Sequence, residues 1–265
     1  MKKEKIGIIG LGYVGSPVQK WFRDKGHEVF QYDKFKNKGS IKEVNKADII
    51  FIAVPTPFNE KDKGHDISAV EESVKNIEDN KIIIIKSTIV PGSTKKIQET
   101  YPKKTILYNP EFLRAKTAEK DYLNPKMQIL GYANKKGKEK APNILEILPK
   151  ADFSKITTST EAEVIKYFMN SFLATRVIFA EGIHDLCKAL GDADYDVVKG
   201  CVIKDKRIGH SHFDILADGY RGYGGACLPK DTKALIERAE ELGVDLDLIK
   251  KVDEINEKLQ RKKPE

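Results

Sequence analysis

The chain has 265 residues, of which 40% are hydrophobic and 33% are charged, so it can build one large or two small cores but is too charged for a membrane protein. No apolar run approaches the roughly 20 residues that a membrane-spanning helix requires, and the short apolar start leads into glycines rather than a signal-peptide cleavage site. The net charge is +7, yet no zinc finger, basic zipper or RNA-binding aromatic strand accompanies it. We therefore predict a soluble, cytoplasmic protein that binds neither membranes nor nucleic acids.

Short apolar segments alternate with helical patterns through the first half of the chain. Strands are predicted at 5–10, 28–33, 47–54, 81–88, 105–110 and 127–132, and helices at 14–25, 67–80 and 93–100. All-apolar strands separated by helices indicate a parallel sheet that is covered on both faces. We therefore predict a doubly wound, Rossmann-like α/β domain over residues 1–158.

The second half begins with a helix-start signal. Thr158 and Glu161 are spaced as in a capping box, in which two side chains satisfy the free amides of a helix start. Apolar residues then recur at helical spacing over 165–190, and Gly191 ends the run. The pattern predicts one uninterrupted helix.

This helix is longer than a compact domain requires, since some 30 residues of helix extend about 45 Å. We therefore predict that residues 159–191 connect two domains or form a dimer interface. Residues 192–265 are predicted to be a small, mainly helical domain, interrupted by a glycine-rich stretch at 219–225.

A GxGxxG motif follows the first strand and opens the first helix. Gly10 permits the tight turn, Gly12 lets the backbone approach a pyrophosphate, and Gly15 lets helix and strand pack closely. Asp33 ends the second predicted strand, where a carboxylate accepts from the ribose 2′-OH of a dinucleotide and repels a 2′-phosphate. The pattern favours NAD over NADP.

The most unusual segment is the glycine-rich stretch 222–231, which contains Cys227. A proline and an amphipathic run follow the cysteine, so Cys227 is predicted just before a helix N-terminus and beside Lys230, two features that favour the nucleophilic thiolate. Cys187 and Cys201 lie within apolar helical patterns and are predicted to be core residues. The three cysteines form neither an even disulfide framework nor a CxxC metal pair.

Two pairs of polar residues give weaker signals. Lys166 and Asn170 are four apart and project from one helix face, where they could hold an oxygen that gains negative charge or could simply be solvated. His210 and His212 could form half of a metal site, but no third ligand is evident nearby, so a surface or sugar-contact loop is favoured and no metal is predicted.

Together these segments resemble the UDP-glucose/GDP-mannose dehydrogenase family. The matching segments, in order through essentially the whole chain, are IGIIGLGYVG, AVPTP (53–57), IKSTIVPGST (85–94), NPEFLR (109–114), the Lys166/Asn170 helix and GYGGACLPKDTKAL (222–235). The resemblance implies a four-electron oxidation of a nucleotide-sugar C6 alcohol to a carboxylate, with two NAD⁺ used in turn. UDP-glucose, oxidised to UDP-glucuronate, is the favoured substrate.

The resemblance also implies roles for individual residues. Cys227 attacks the aldehyde to give a thiohemiacetal that is oxidised to a thioester, Lys166 and Asn170 stabilise the oxyanion, and Asp231, Thr88 and Glu111 position or activate water. The cofactor-binding residues implied are Gly10, Gly12, Tyr13, Val14, Gly15, Asp33, Lys38 and Thr56. The substrate-binding residues implied are Phe112, Leu113, Arg114, Arg207, Tyr223, Gly224 and Gly225.

The sequence departs from the family pattern in three places. Family members usually continue into a third, C-terminal Rossmann-like domain that grips the nucleotide, whereas this sequence stops at Glu265, so we expect a short member with weaker nucleotide affinity. The segment between Asp33 and Ala47 is shorter than usual. Ala115 stands where the family often has a second glutamate.

Two other functions remain open at this point. The first is a two-domain NAD dehydrogenase of the β-hydroxyacid type, which also carries lysine and asparagine four apart on a helix but needs no nucleophilic thiol. The second is a catalytically incomplete NAD-binding remnant that acts with a partner chain. For the intact protein we predict a homodimer through the long helix.

Overall fold

The computed structural model describes residues 3–59 and 64–261. The chain divides into two compact units, residues 1–166 and 167–265, and the boundary lies inside the long helix.

The first unit is built mainly from strands that alternate with helices, as the apolar segments predict. Its strands are β1 (Ile6–Ile9), β2 (Val29–Asp33), β3 (Lys38–Gly39), β4 (Ile49–Ile52), β5 (Phe58–Asn59), β6 (Gly64–His65), β7 (Ile82–Ile85), β8 (Thr105–Tyr108), β9 (Met127–Tyr132) and β10 (Phe153–Thr158). Its helices are α1 (Gly15–Asp24), α2 (Ile41–Val44), α3 (Ser68–Asn76), α4 (Ser93–Thr100), α5 (Ala118–Leu123), α6 (Lys135–Ile147) and the start of α7 (Ser159–Leu190), with a 3₁₀ turn at Ala115–Thr117.

Among the described residues, eight strands form one sheet in the order β10-β9-β8-β7-β4-β1-β2-β3, and β5 and β6 form a separate two-stranded sheet. The central strands are parallel and closely in register: Ile6 of β1 lies opposite Val29 of β2 and Ile49 of β4. The predicted doubly wound sheet is confirmed. Two pairs are antiparallel, β2 with β3 and β8 with β9. The second arises because segment 109–126 re-enters the sheet at the edge where β8 ends, without a crossover.

The core lies on both faces of the sheet because successive side chains of a strand point to opposite faces. On one face Ile50, Ile52, Ile83 and Ile85 pack with side chains of α2, α3, α4 and the start of α7. On the other face Phe51 and its neighbours pack with side chains of α1, α5 and α6. Strands covered on both sides consist mainly of apolar residues, which explains the isoleucine runs in the sequence.

A buried glutamate on α7 fixes the N-terminus of α4. Both oxygens of Glu163 accept backbone amides, from Gly92 at 2.6 Å and from Thr94 at 2.8 Å. Glu163 is fully buried. A carboxylate at a helix N-terminus satisfies otherwise unpaired N–H groups and the positive end of the helix dipole.

Helix α6 and strand β10 have no counterpart among the predicted elements. Helix α6 starts with a run of lysines, contains Pro142 and depends on the Asn134 side chain, which accepts from the amide of Gly137 at 2.7 Å. Strand β10 is a largely exposed edge strand of mixed polar residues, FSKITT. Neither segment shows the apolar periodicity on which the prediction depended.

The second unit contains the rest of α7 with α8 (Tyr195–Val202), α9 (Leu228–Glu241) and α10 (Asp247–Arg261). Its core joins Ala174 and Ile178 of α7 to Tyr223, Val252 and Leu259. Segment 203–227 holds no helix or strand, so the irregular stretch is longer than the predicted 219–225.

The ends of the long helix agree with the sequence. The amide of Thr158 donates to Glu161 Oε2 at 2.9 Å, and the amide of Glu161 donates to Thr158 Oγ1 at 3.3 Å, which is the reciprocal capping box. After the last helical residue, Gly191 adopts φ +82°, as glycine does at helix C-termini.

The predictions for the two non-catalytic cysteines differ in outcome. Cys187 is buried, whereas Cys201 is exposed, so its predicted place in the core is wrong. None of the residues of α8 is buried, which means that the apolar pattern around Cys201 does not face this unit's core. Within the described part of the chain, no helix is both long and apolar enough to cross a membrane.

Candidate functional site

The glycine loop joins β1 to α1 and leaves room for a ligand. A Cβ on Gly10, whose φ is +87°, would lie 2.3 Å from the carbonyl oxygen of Ala53, and a Cβ on Gly15 would lie 1.8 Å from that of Gly10. By contrast, no atom lies within 4 Å of a Cβ built on Gly12. The turn therefore demands its outer glycines, while Gly12 borders open space into which a pyrophosphate fits.

Asp33 at the end of β2 is buried against this loop. Its Oδ2 accepts the Leu11 amide at 2.7 Å and its Oδ1 accepts the Lys36 amide at 2.8 Å. Burial works to raise the pKa of Asp33, but these backbone hydrogen bonds outweigh it and hold the pKa below its ordinary value. The carboxylate is thus charged and fixed where a ribose hydroxyl is expected.

A lysine that the sequence interpretation did not single out, Lys36, contacts the glycine loop. Lys38 lies in β3, paired with Asp33 in the ladder, and is exposed. Lys36 instead places its Nζ on the carbonyl oxygen of Leu11 in the glycine loop. Both lysines follow β2 within five residues of Asp33, so only the turn conformation distinguishes them.

A cleft of about 960 Å³ opens beside the glycine loop in the first unit. Its walls combine Leu11, Gly12, Tyr13 and the start of α1 with the segment 115–124. Lysines line it in excess over acids: Lys20, Lys36, Lys116 and Lys120 against Glu119. The cleft has the positive charge and free backbone that a dinucleotide phosphate needs, so the residues present fit NAD. Ala115 also lines this cleft.

The loops after β4 and β7 are bonded to each other. Thr56 Oγ1 donates to the carbonyl oxygen of Thr88 at 2.8 Å, and Ser87 Oγ donates to that of Val54 at 2.7 Å. Ligands of open α/β sheets bind at the carboxyl ends of the strands. These bonds fix that edge of the sheet and bring Thr56 and Thr88, two inferred site residues, together.

Glu111 and Lys166 form a buried ion pair within the first unit. Lys166 Nζ contacts Glu111 Oε1 at 2.9 Å and the Glu111 carbonyl oxygen at 2.6 Å. Both side chains are at most 5% exposed. Glu111 Oε2 accepts the Leu113 amide at 2.7 Å, and the Phe112 ring lies 5.6 Å from Lys166 Nζ. Segment 111–113 therefore surrounds the lysine.

A second buried lysine, missed by the sequence interpretation, lies behind this pair. Lys86 Nζ donates to Asn109 Oδ1 at 2.7 Å and to the Asn109 carbonyl oxygen at 3.2 Å. Burial is the main cause that lowers the pKa of Lys86 to about 8; the Glu111 carboxylate opposes this shift and the charge of Lys166 adds to it. The signal in the sequence was a charged residue directly after four isoleucines.

Arg114 forms an ion pair with Asp121. Its guanidinium donates to both oxygens of Asp121, at 2.7 and 3.0 Å, and its side chain is 76% exposed. The Arg114 hydrogen bond holds the pKa of Asp121 well below its usual range. This pair braces the loop that carries Glu111.

In the second unit Cys227 lies where the sequence predicts, immediately before α9, and is half-buried. Its carbonyl oxygen accepts the Asp231 amide at 2.9 Å, which begins the helix. Asp231 is almost completely buried and contacts Asn170 Nδ2 and Lys230 Nζ, each at 2.5 Å. The Lys230 charge is therefore balanced by Asp231, and three of the expected residues, Cys227, Asp231 and Asn170, belong to one hydrogen-bonded group.

The glycine-rich stretch before Cys227 is anchored by residues that sequence reasoning missed. Glu181 on α7 accepts the Gly222 amide at 2.6 Å and the Arg221 guanidinium at 2.7 Å. Asn256 on α10 accepts the Tyr223 amide at 2.7 Å and donates to the Tyr223 carbonyl oxygen at 3.0 Å.

Tyr223 and Gly224 in this stretch are also held by neighbouring side chains, whereas Gly225 is not. The Tyr223 hydroxyl donates to Asp253 at 3.0 Å, and burial together with that carboxylate raises the pKa of Tyr223. A Cβ on Gly224 would lie 2.3 Å from the Tyr220 hydroxyl, whereas one on Gly225 would meet open space. Tyr223 is thus part of the unit's core, and Gly225 borders the side open to a ligand.

Arg207 and the histidine pair remain outside these groups. The Arg207 side chain is 89% exposed and binds Asp205 in its own loop. His210 and His212 are exposed. Over the residues that the structure describes, no cluster of three or more His, Cys, Asp or Glu is placed to hold a metal ion.

Comparison with known proteins covers both units. The NAD binding domain of the UDP-glucose/GDP-mannose dehydrogenase family matches residues 32–148, and its central domain matches residues 160–258. UDP-glucose 6-dehydrogenase TuaD of Bacillus subtilis is 32% identical over 96% of this chain and 63% of its own length. The UDP-glucose 6-dehydrogenase of Campylobacter jejuni is 32% identical over 96% of this chain and 72% of its own length.

A solved structure supports the same relationship. The UDP-glucose dehydrogenase of the archaeon Pyrobaculum islandicum superimposes with a TM-score of 0.85 at 28% identity, over 97% of this chain and 68% of that one. Both units thus match in order, and the chain spans about two thirds of the length of these relatives. The chain belongs to the UDP-glucose/GDP-mannose dehydrogenase family, and its first unit is the family's NAD-binding domain.

Proposed function

We propose that this chain is an NAD-dependent nucleotide-sugar 6-dehydrogenase, which oxidises a C6 alcohol to the carboxylate, with UDP-glucose converted to UDP-glucuronate as the favoured reaction. The observation that carries the proposal is the hydrogen-bonded group around Cys227. A half-buried thiol stands at the N-terminus of α9, and the carboxylate of Asp231, one turn further on, is held by Asn170. A hydroxyacid dehydrogenase has no use for a thiol placed in this way.

The proposed chemistry splits one difficult oxidation into two. When bound, NAD⁺ supplies the hydride acceptor for each oxidation. The C6 alcohol first loses a hydride and a proton to give the aldehyde. The Cys227 thiolate then adds to the aldehyde carbon to form a thiohemiacetal, whose second hydride loss leaves a thioester. Water finally displaces the Cys227 thiolate and releases the carboxylate.

The lysine and the asparagine of α7 are proposed to stabilise the oxyanion of these intermediates. Lys166 has three N–H donors, of which Glu111 uses two, and Asn170 has two, of which Asp231 uses one. Each side chain is therefore oriented by a carboxylate and retains a donor. Preorganised donors of this kind favour charge that develops during reaction.

The acids that hold these donors are proposed to act on water. Asp231 and Glu111 are both buried away from bulk solvent, and each accepts hydrogen bonds that fix its orientation. Thr88 lies at the carboxyl end of β7, beside Thr56. We assign the three residues to positioning or activating the water that hydrolyses the thioester.

The remaining expected residues are assigned to binding. Gly10, Gly12, Gly15 and the fixed carboxylate of Asp33 would hold NAD, with Lys36 added to Lys38 because its ammonium reaches the glycine loop. Following the family resemblance of the sequence, we assign substrate contacts to the segments 112–114 and 223–225 and to Arg207.

The test is NADH formation by the purified chain with NAD⁺ and UDP-glucose, beside GDP-mannose and UDP-N-acetylmannosamine, with NADH counted per sugar. Two NADH per sugar, lost in Cys227→Ala and kept in the exposed-cysteine control Cys201→Ala, is the expected result. One NADH per sugar with an active Cys227→Ala would favour a dehydrogenase of the β-hydroxyacid type. NAD⁺ binding without turnover of any of the three sugars would favour a binding remnant that acts with a partner chain.

We also propose that the protein is a homodimer through α7. Phe168, Phe172, Phe179, Leu186 and Leu190 are each more than half exposed and fall within one narrow stripe of the helix at 100° per residue. Apolar stripes of this length are covered by a partner in stable proteins. Sedimentation should give a dimer at micromolar concentration, and Phe179→Glu should give a monomer. A monomeric unaltered chain would disprove the proposal, and Phe35→Glu, an exposed site on the first unit, is the control.

A further inference from the structure

The buried Lys86 joins the ends of three neighbouring strands. It follows β7 and donates twice to Asn109, which follows β8. Asn109 Nδ2 in turn donates to the carbonyl oxygen of Ile129 in β9 at 2.7 Å and to Gln128 Oε1 at 3.2 Å. Lys86 and Asn109 are 2% and 0% exposed. The network thereby ties the segment after β8, which carries Glu111, to β7 and β9.

Burying the Lys86 ammonium is expected to destabilise the folded protein. A buried ammonium pays a large desolvation penalty, and a neutral apolar side chain would fill the same volume without it. Lys86 Nζ contacts the two neutral oxygens of Asn109 and the face of the Tyr122 ring, 5.7 Å away, and these contacts include no direct ion pair that would offset the penalty.

Asn109 connects this network to the Glu111 segment. Asn109, Pro110 and Glu111 are consecutive, and the proline restricts the backbone between the two polar residues. Fixing Asn109 on Lys86 therefore fixes where Glu111 leaves the sheet. Glu111 then holds Lys166 through both its carboxylate and its carbonyl oxygen.

We propose that Lys86 is a positioning residue of the dehydrogenase: through Asn109 it holds Glu111, and through Glu111 it orients Lys166. This inference rests on the proposed function for its kinetic consequence and on the hydrogen-bond geometry alone for its structural one. The Lys86 ammonium is buried against Asn109, so we assign it a positioning role and no direct contact with substrate or cofactor. Its effect is to set the direction from which the Lys166 ammonium meets the developing oxyanion.

The test compares Lys86→Met with Lys104→Met, a control of the same chemistry. Lys104 is also buried, and its Nζ donates to the Val74 carbonyl oxygen at 2.6 Å, but it precedes β8 and so lies at the opposite end of that strand. Lys86→Gln, which keeps one donor for Asn109, serves as the milder variant if Lys86→Met does not fold. Two readouts are needed, hydrogen exchange of the Leu113 amide and steady-state kinetics.

In Lys86→Met the Leu113 amide should exchange faster, because its acceptor Glu111 loses its fixed position. In Lys86→Met kcat should fall by about 10- to 100-fold while KM for NAD⁺ changes less than about twofold, as expected for a misplaced catalytic group. Lys86→Gln should lie between Lys86→Met and the unaltered chain. Lys104→Met should leave both Leu113 exchange and kcat unaltered.

Unchanged Leu113 exchange in both Lys86 variants would overturn the proposal, as would faster exchange with an unaltered kcat. A loss of activity in Lys104→Met equal to that in Lys86→Met would reduce the effect to general destabilisation and would also overturn it. If the unaltered chain shows no turnover at all, the proposed function fails, and the exchange of the Leu113 amide still decides whether Lys86 holds the Glu111 segment.

Discussion

Replacing Asp33 by Asn tests the cofactor site most directly. The carboxylate accepts two backbone amides, from Leu11 and Lys36, with one oxygen each. In the variant one oxygen remains an acceptor, while the new NH₂ group faces the other N–H. A hydrogen bond to a charged group is worth about 1.5–3 kcal/mol and a neutral one about 0.5–1.5. Losing one of the two hydrogen bonds and replacing the other by a neutral one should destabilise the glycine loop by about 2–4 kcal/mol.

Part of this loss should appear as weaker cofactor binding, because the same carboxylate is expected to accept the ribose 2′-OH. We expect the Kd for NADH to rise about tenfold or more, which corresponds to about 1.4 kcal/mol. The preference for NADH over NADPH should narrow at the same time, since the repulsion of a 2′-phosphate disappears. Fluorescence titration of the unaltered chain and the variant with both cofactors measures these changes.

The dependence of NADH affinity on pH gives an independent check of the role assigned to the Asp33 carboxylate. Because the pKa of Asp33 is held below its ordinary value, the carboxylate stays charged at all pH values above about 4, and its contribution is lost only as pH falls through the lowered pKa. Asp48→Asn is the control, since Asp48 also accepts a backbone amide, from Lys5, but on the surface and before a strand. An NADH Kd for Asp33→Asn within twofold of the unaltered chain would refute the assigned role.

Further measurements address stability. Glu163→Gln should lower the free energy of unfolding, measured in urea, by about 2–4 kcal/mol, because one buried amide loses its acceptor and the other keeps only a neutral one. The exposed Glu161→Gln should lose much less, and equal losses would contradict the argument from burial. Gly222→Ala should destabilise the protein more than Gly225→Ala, although both have positive φ, because its Cβ would lie 2.4 Å from an α10 side-chain oxygen; thermal melts decide the order. Between pH 8 and 10 the free energy of unfolding of the unaltered chain should rise relative to that of Lys86→Met, because Lys86 is protonated in the unfolded chain but has lost its proton in the folded one. If the difference between the two free energies does not change with pH, the pKa of Lys86 is not lowered.

Local signals predicted the parts of the molecule that depend on neighbours in sequence. The isoleucine runs specify strands because a sheet covered on both faces favours apolar side chains at successive positions. The capping box at Thr158 and Glu161 and the position of Cys227 before α9 are each set by residues within four positions, and both agree with the structure.

What the sequence could not provide are contacts between distant segments. Glu163 finds Gly92 and Thr94 about 70 positions away, and Glu181 finds Gly222 41 positions away. Neither glutamate differs in sequence from any solvated residue on a helix. The prediction that Cys201 lies in the core is wrong for a related reason. An apolar pattern indicates that a helix face is to be covered but does not identify the surface that covers it.

The two edges of the eight-stranded sheet have unequal consequences for handling the protein. Strand β3 offers two residues to a further strand, while β10 offers six and carries Phe153, which is 56% exposed. An open edge of this length is a template for intermolecular pairing, and a central lysine, here Lys155, is the usual obstacle to it. Heat-induced association should therefore begin at β10, and Lys155 is the residue to retain in any variant made for crystallisation.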